Sequence, residues 1–265
     1  MSAAPARRVD GVVWQLNRST LRPRGDWHRL GVKRLLVQWT AVDGLSFVDG
    51  VAGLPMIGRD TPDWARIASE PWAREVTLGL SGMHDEARAR AVMPTLLKQS
   101  PALALAAAPL PLRVNSWYFP VEIDPTWSSP AGWPQALEAL PRPLWISAYD
   151  SANLGPDVLA DWIARWVPAD VGVFFQDGVG VHVREPGVAL DYLRVLTRRL
   201  GRARVRVIAE AFRPAEGGGF RSATAQEFLP QIDAYRGWPI YAFDGPHYLS
   251  DALVDELVAL GVGRR

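Results

Sequence analysis

The sequence predicts a single (β/α)8 barrel over residues 1–265, and three observations carry that expectation. The 265-residue length matches such a barrel, which typically takes about 250 residues. Short apolar or β-branched runs alternate eight times with amphipathic stretches, as βα units around a parallel sheet require. Hydrogen-bonding side chains gather at the C-terminal ends of those runs, the end of a barrel that carries its chemistry.

In chain order, the first strand is expected over Val12 to Leu16 and the second over Arg34 to Trp39. Thr61-Pro62 opens a helix, a cap residue followed by a proline whose missing N–H costs nothing in the first turn. The third strand is read at Val76 to Leu80. A helix follows from Asp85 to about Lys98, interrupted by Pro94, and the alanine- and proline-rich stretch after it, up to Arg113, has no clear assignment. Strands four and five are placed at Val114 to Phe119 and Leu144 to Tyr149. The sixth is Val171 to Gln176, the seventh Arg204 to Glu210 and the eighth Pro239 to Phe243. Helices at Asp157 to Trp166, Val188 to Leu200, Ala223 to Tyr235 and Asp251 to Leu260 repeat apolar residues every three or four positions, so each lays one face on the barrel. Gly201 caps the second of these, and Gly217-Gly218-Gly219 forms a loop after the seventh strand.

Composition excludes several function classes. The chain is 48% hydrophobic and 22% charged, enough apolar surface for a large core. A net charge of +1 from 29 basic and 28 acidic residues gives no pull toward nucleic acid or an anionic membrane. All basic residues but Lys33 and Lys98 are arginines, a bias of base composition rather than a phosphate site. The absence of cysteine removes disulfides, thiolate metal sites and a cysteine nucleophile. The longest apolar run, Pro101 to Leu112, is broken by Pro109 and Pro111 and falls short of a membrane span. The start, Met-Ser-Ala-Ala-Pro-Ala-Arg-Arg, has no signal-peptide core and reads as what remains after a trimmed export signal. No nucleophile elbow, P-loop or dinucleotide fingerprint is present, so no cofactor is expected. The four histidines show no metal-ligand spacing, and no metal is expected. A metal-dependent hydrolase or isomerase, built on His84, Asp85 and His247, ranks last.

Strand ends supply the site. They read Gln15 and Asn17; Gln38 and Trp39; His84 and Asp85; Tyr118, Glu122 and Asp124; Tyr149 and Asp150; Gln176 and Asp177; Glu210; and Asp244, His247 and Tyr248. Parallel barrel strands are buried on both faces, so Gln38, Gln176 and Glu210 at the ends of apolar runs are costly unless paired or used. Cleavage of a glycosidic bond needs two carboxyl groups, one protonated toward the leaving oxygen and one ionised. Glu122 and Glu210 are the leading pair, with Asp177 orienting one of them or raising its pKa. The plain alternative for any of these acids is a loop cap or an ion pair with an arginine. Sugars present apolar C–H faces beside hydroxyls, so flat aromatic surfaces suit them. Of twelve tryptophans, Trp14, Trp39, Trp117, Trp127 and Trp133 lie in or after strands, together with Tyr118, Tyr149 and Tyr248. Trp64, Trp162 and Trp166 sit in helices and are read as packing residues.

The run Trp117-Tyr118-Phe119-Pro120-Val121-Glu122-Ile123-Asp124, then Ile146-Ser147-Ala148-Tyr149, then Phe175-Gln176-Asp177-Gly178-Val179-Gly180, resembles a bacterial domain family of unknown function related to TIM-barrel glycoside hydrolases. Leu36-Val37-Gln38-Trp39-Thr40, Ile208-Ala209-Glu210-Ala211-Phe212 and His247-Tyr248-Leu249-Ser250 are similar to it in the same order. The resemblance implies Glu122, Asp177 and Glu210 as site carboxylates and Gln38, Trp39, Gln176 and Tyr248 as sugar contacts. Trp117, Tyr118 and Tyr149 join them as aromatic surface. By position, Glu122 and Glu210 are similar to the acid/base and nucleophile of the retaining superfamily that uses strands four and seven, although Val121 stands where that superfamily has asparagine. The resulting expectation is a periplasmic or secreted glycoside hydrolase acting on a bacterial polysaccharide or oligosaccharide. Its rival is a non-catalytic carbohydrate-binding barrel with partners in polysaccharide assembly or export.

Overall fold

The computed structural model describes residues 6–127, 130 and 132–264; the Met-Ser-Ala-Ala-Pro start lies outside them. Eight parallel strands close into a barrel: β1 (Gly11–Trp14), β2 (Arg34–Val37), β3 (Glu75–Gly79), β4 (Val114–Ile123), β5 (Leu144–Ala148), β6 (Gly172–Gln176), β7 (Val205–Glu210) and β8 (Ile240–Phe243). Each pairs with its neighbours in sequence, and β8 closes on β1 through Gly11 opposite Tyr241 and Val12 opposite Ala242. This is the (β/α)8 architecture the alternating pattern predicts, with each expected strand present.

Side chains alternate between two cores. One row points into the barrel, where Val13, Leu36, Tyr118, Trp145, Phe174, Ile208 and Tyr241 pack on one another. The other row points outward and joins the helices in a much larger apolar layer. Gly172 makes the inner filling possible, since a Cβ there would stand 2.3 Å from the Trp145 ring.

The outer helices are α1 (Trp64–Ser69), α2 (Glu86–Ala91), α3 (Met93–Ala107), α4 (Trp133–Glu138), α5 (Pro156–Trp166), α6 (Pro186–Leu200), α7 (Ala225–Ala234), α8 (Gly245–Tyr248) and α9 (Asp251–Ala259). On α6 the buried residues are Ala189, Tyr192, Leu193, Leu196 and Leu200, the three- and four-residue spacing of one face. Thr224 and Glu227 form a reciprocal capping box at the start of α7.

Two local expectations are corrected. Asp63, not Thr61, caps α1, its Oδ1 accepting the Arg66 N–H at 3.0 Å. The alanine- and proline-rich stretch after Lys98 is helical to Ala107: Pro94 sits in the first turn of α3, where it lacks nothing, and Pro101 is carried inside the helix by packing. The triglycine segment lies in a loop after β7, as expected, where it makes the turn of a hairpin of Phe212–Pro214 with Phe220–Ser222.

Candidate active site

A cavity of about 190 Å3 opens at the C-terminal end of the strands. Val13, Leu36 and Ile208, the last inward-facing apolar layer, form its floor, and Phe243 and Trp39 line its sides. Its polar lining is Gln15, Gln38, His84, Glu86, Tyr118, Glu122, Ser147 and Gln176. The volume is below the roughly 300–1,000 Å3 of pockets that enclose a drug-sized ligand, so the cavity takes one small group or ring and leaves the rest of a larger ligand outside.

Local structure explains how each group arrives. β2 stops at Val37, so Gln38 and Trp39 leave the alternating pattern and both reach the cavity. The Trp39 indole N–H donates to the Leu16 carbonyl at 2.7 Å, and its ring meets His84 edge-on at 4.9 Å. His84 Nδ1 lies 2.7 Å from Asp43 Oδ2. β4 shifts register between Phe119 and Ile123 where it pairs with β5, and this bulge carries Glu122 to the mouth. Glu86 is the first residue of α2, presented over the end of β4 once Asp85 has capped that helix through the Arg88 N–H at 2.7 Å. Tyr118 donates to Ser147 Oγ at 2.8 Å, a neutral phenol whose pKa burial pushes up.

Two carboxylates therefore share the cavity. Glu122 Oε2 accepts a hydrogen bond from Gln176 Nε2 at 2.5 Å, while the Glu122 N–H donates to Glu86 Oε2 at 3.2 Å. Burial raises the Glu122 carboxyl, against the opposing pull of Gln176 and Arg90. Burial and the nearby Glu122 charge push Glu86 up to about 7. Gln38 lines the cavity, and its Oε1 is buried with no hydrogen-bond partner among the described residues.

The other two expected acids are placed differently. Asp177 follows the inward-facing Gln176, so it points out of the barrel and is fully buried. It accepts from the Val179 and Glu210 N–H groups at 3.2 Å, Gln231 Nε2 at 2.7 Å and the Tyr235 hydroxyl at 3.0 Å. Glu210 points inward, 6% exposed, beneath residues 180–181, with the Val181 N–H donating to its Oε2 at 3.1 Å. Burial and the Asp177 charge push Glu210 up to about 8. Four donors against Glu210's fewer make Asp177 the charged member of this pair and Glu210 the protonated one. Asp177 thus positions β7 and the loop over it rather than facing a ligand. Glu210 is not among the residues lining the cavity.

The aromatic expectations divide by strand parity. Trp39 and Tyr118 line the cavity. Trp117 does not: its neighbour Tyr118 faces inward, so Trp117 packs outward on the helical layer. Trp14 meets Trp64 at 5.8 Å, and Trp127 packs between Trp133 at 5.6 Å and Trp162 at 6.0 Å, all on that outer side. Tyr149 lies under the Arg184 guanidinium at 5.2 Å, its phenol pushed up to about 12 by burial and by Glu210. Tyr248 packs on Phe212 at 5.1 Å, and neither of these two tyrosines lines the cavity. Asp124 and Asp150 are loop caps, holding the Thr126 and Ser151 N–H groups and the Leu154 and Gly155 N–H groups. His247 is bound to Asp244 and His84 to Asp43, and among the described residues no group of three or more acidic or histidine side chains is placed to hold a metal ion.

Sequence reasoning missed Glu86, Ser147 and Phe243. Glu86 reads as an ordinary acidic residue in the first turn of a helix, where the dipole favours it. The available signal was its place two residues after His84, at the start of the helix that follows the third strand and its loop.

No family model matches the chain, and no curated protein matches it. In structure it is similar to a candidate α-L-fucosidase from Bacteroides thetaiotaomicron VPI-5482, with a TM-score of 0.65 at 14% identity over 98% of this chain and 95% of that one. It is also similar to a chitinase from Chromobacterium violaceum ATCC 12472, with a TM-score of 0.53 at 11% identity over 99% and 100% of the two chains. The likeness is one of fold, a TIM barrel.

Proposed function

We propose that the protein is a glycoside hydrolase that cleaves O-glycosidic bonds in a bacterial polysaccharide or oligosaccharide, through a pair of carboxylates of which Glu122 is one. The observation that carries this reading is the placement of Glu122: a half-buried carboxylate held by Gln176 in a cavity at the C-terminal mouth of the barrel. Hydrolysis of a glycoside asks for such a group beside the anomeric carbon. Gln38 and Gln176 line the cavity with amides that can orient a sugar ring, and Phe243 lines it with an apolar face. The names of the two structural neighbours, a fucosidase and a chitinase, point to the same class of substrate.

The test is release of new reducing ends from a panel that includes chitin oligosaccharides, fucosylated glycans and bacterial exopolysaccharides. Wild type is expected to hydrolyse at least one, and Glu122→Gln to lose about 100-fold or more of that rate with its circular dichroism unchanged. Binding without release on every glycan would replace this reading with a non-catalytic carbohydrate-binding barrel.

A further inference from the structure

We propose that Glu86, and not Glu210, is the second carboxyl of the site, the acid that protonates the departing glycosidic oxygen while Glu122 acts as its ionised partner. The inference rests on the hydrolase reading above and names the catalytic pair within it.

Geometry separates the two candidates. Glu86 lines the same cavity as Glu122 and reaches it from a different element, α2 against β4. Glu86 Oε2 is anchored by the Glu122 N–H, and its other oxygen takes no hydrogen bond from the described residues. Glu210, by contrast, lies under the loop at residues 180–181. A Cβ on Gly180 would stand 2.6 Å from the Glu210 Cβ, which shows how closely that loop is laid on it.

The hydrogen bonds also decide which carboxyl keeps the proton. Two like charges in one small cavity do not both ionise readily, and the better-solvated member takes the charge. Glu122 has the short bond from Gln176 Nε2, a group that can only donate. Glu86 has the longer bond from a main-chain N–H. The remaining titratable and charged groups around Glu86 are Asp85 and Arg90 of its own helix, His84 before it, and Tyr118 of β4. Burial and the Glu122 charge outweigh Arg90 and hold Glu86 up at about 7, the range suited to an acid working near neutral pH.

The step balances as a hydrolysis. The Glu86 proton passes to the glycosidic oxygen, the electron pair of the breaking bond from the anomeric carbon goes to that oxygen, and an alcohol departs. Glu122 takes one proton from the water whose oxygen bonds to the anomeric carbon, and solvent returns that proton to Glu86.

The experiment compares Glu86→Gln, Glu86→Asp and Glu210→Gln on the glycan that wild type hydrolyses and on a 2,4-dinitrophenyl glycoside of the same sugar, whose leaving group needs no proton. Glu86→Gln can still accept the Glu122 N–H, and folding is checked by circular dichroism. Its kcat on the glycan is expected to fall about 100- to 10,000-fold, with the aryl glycoside changed by less than about tenfold. The wild-type profile should lose activity as pH rises through about 7; Glu86→Gln should lack that limb, and Glu86→Asp and Glu210→Gln should keep it. Equal losses on both substrates, near-wild-type hydrolysis of the glycan by Glu86→Gln, or removal of the limb by Glu210→Gln would each overturn the assignment while leaving the hydrolase reading intact. A wild type that hydrolyses nothing would overturn that reading itself, and the assignment with it.

Discussion

Glu210 carries a carboxyl into a space closed by residues 180–181 and faced by the charge of Asp177, so its proton is bound more tightly in the folded chain than in the unfolded one. An acid with a raised folded pKa binds more protons when folded, so stability falls as pH rises from the ordinary 4.5 through about 8. Glu86 adds a smaller fall in the same direction, ending near 7. Glu210→Gln, which keeps the shape and drops the titration, should therefore show a shallower decline in Tm between pH 5 and pH 8 than wild type. Parallel melting curves for the two proteins across that range would refute the buried-proton account. The same neighbourhood shows how far single residues are legible in a sequence. Gln176 and Asp177 are adjacent, as are Trp117 and Tyr118, and two consecutive strand residues face opposite sides. Composition marks all four as candidates, and only the register selects Gln176 and Tyr118 for the cavity.

At the scale of elements, the loop after β6 does the covering. Its conformation is set by Asp177 below it, by the Val181 N–H on Glu210, and by Arg184, which reaches back to the carbonyls of Asp150, Gln176 and Asp177. Gly180 is where this loop touches β7, with no room for a side chain. Gly180→Ala should push the loop off Glu210 and cost about 1–3 kcal/mol, read as a lower urea midpoint with an unchanged slope. An unchanged midpoint would mean that the loop is not held where it is seen. The long helices were readable because their apolar faces repeat over several turns. α3 was not, because prolines signal a break locally, whereas packing onto the barrel outweighs the one hydrogen bond that Pro101 removes.

For the whole molecule, closure is the decisive event. β8 supplies the pairing partners of both β1 and β7, so removing residues 239–265 would leave two bare parallel edges and uncover the inner apolar row of Val13 and Ile208 that packs with Tyr241. Such a truncated chain should lose its cooperative thermal transition and aggregate, as followed by calorimetry and light scattering. A cooperative transition retained after truncation would mean that the barrel does not fold as one closed unit. The alternation of eight apolar runs with amphipathic helices was sufficient to specify this architecture from the sequence, because burial of a parallel sheet beneath helices leaves a periodic mark in the chain. The same marks pointed to Gln38, Gln176 and Glu210, polar residues ending apolar runs, and of these Gln38 and Gln176 line the cavity while Glu210 does not. Which of those ends meet was decided only by tertiary structure. Glu86 belongs to a helix and Glu210 to a strand, yet closure sets the start of α2 over the end of β4 and lays residues 180–181 over β7, because register and loop path, not residue type, determine which carboxyls share a cavity.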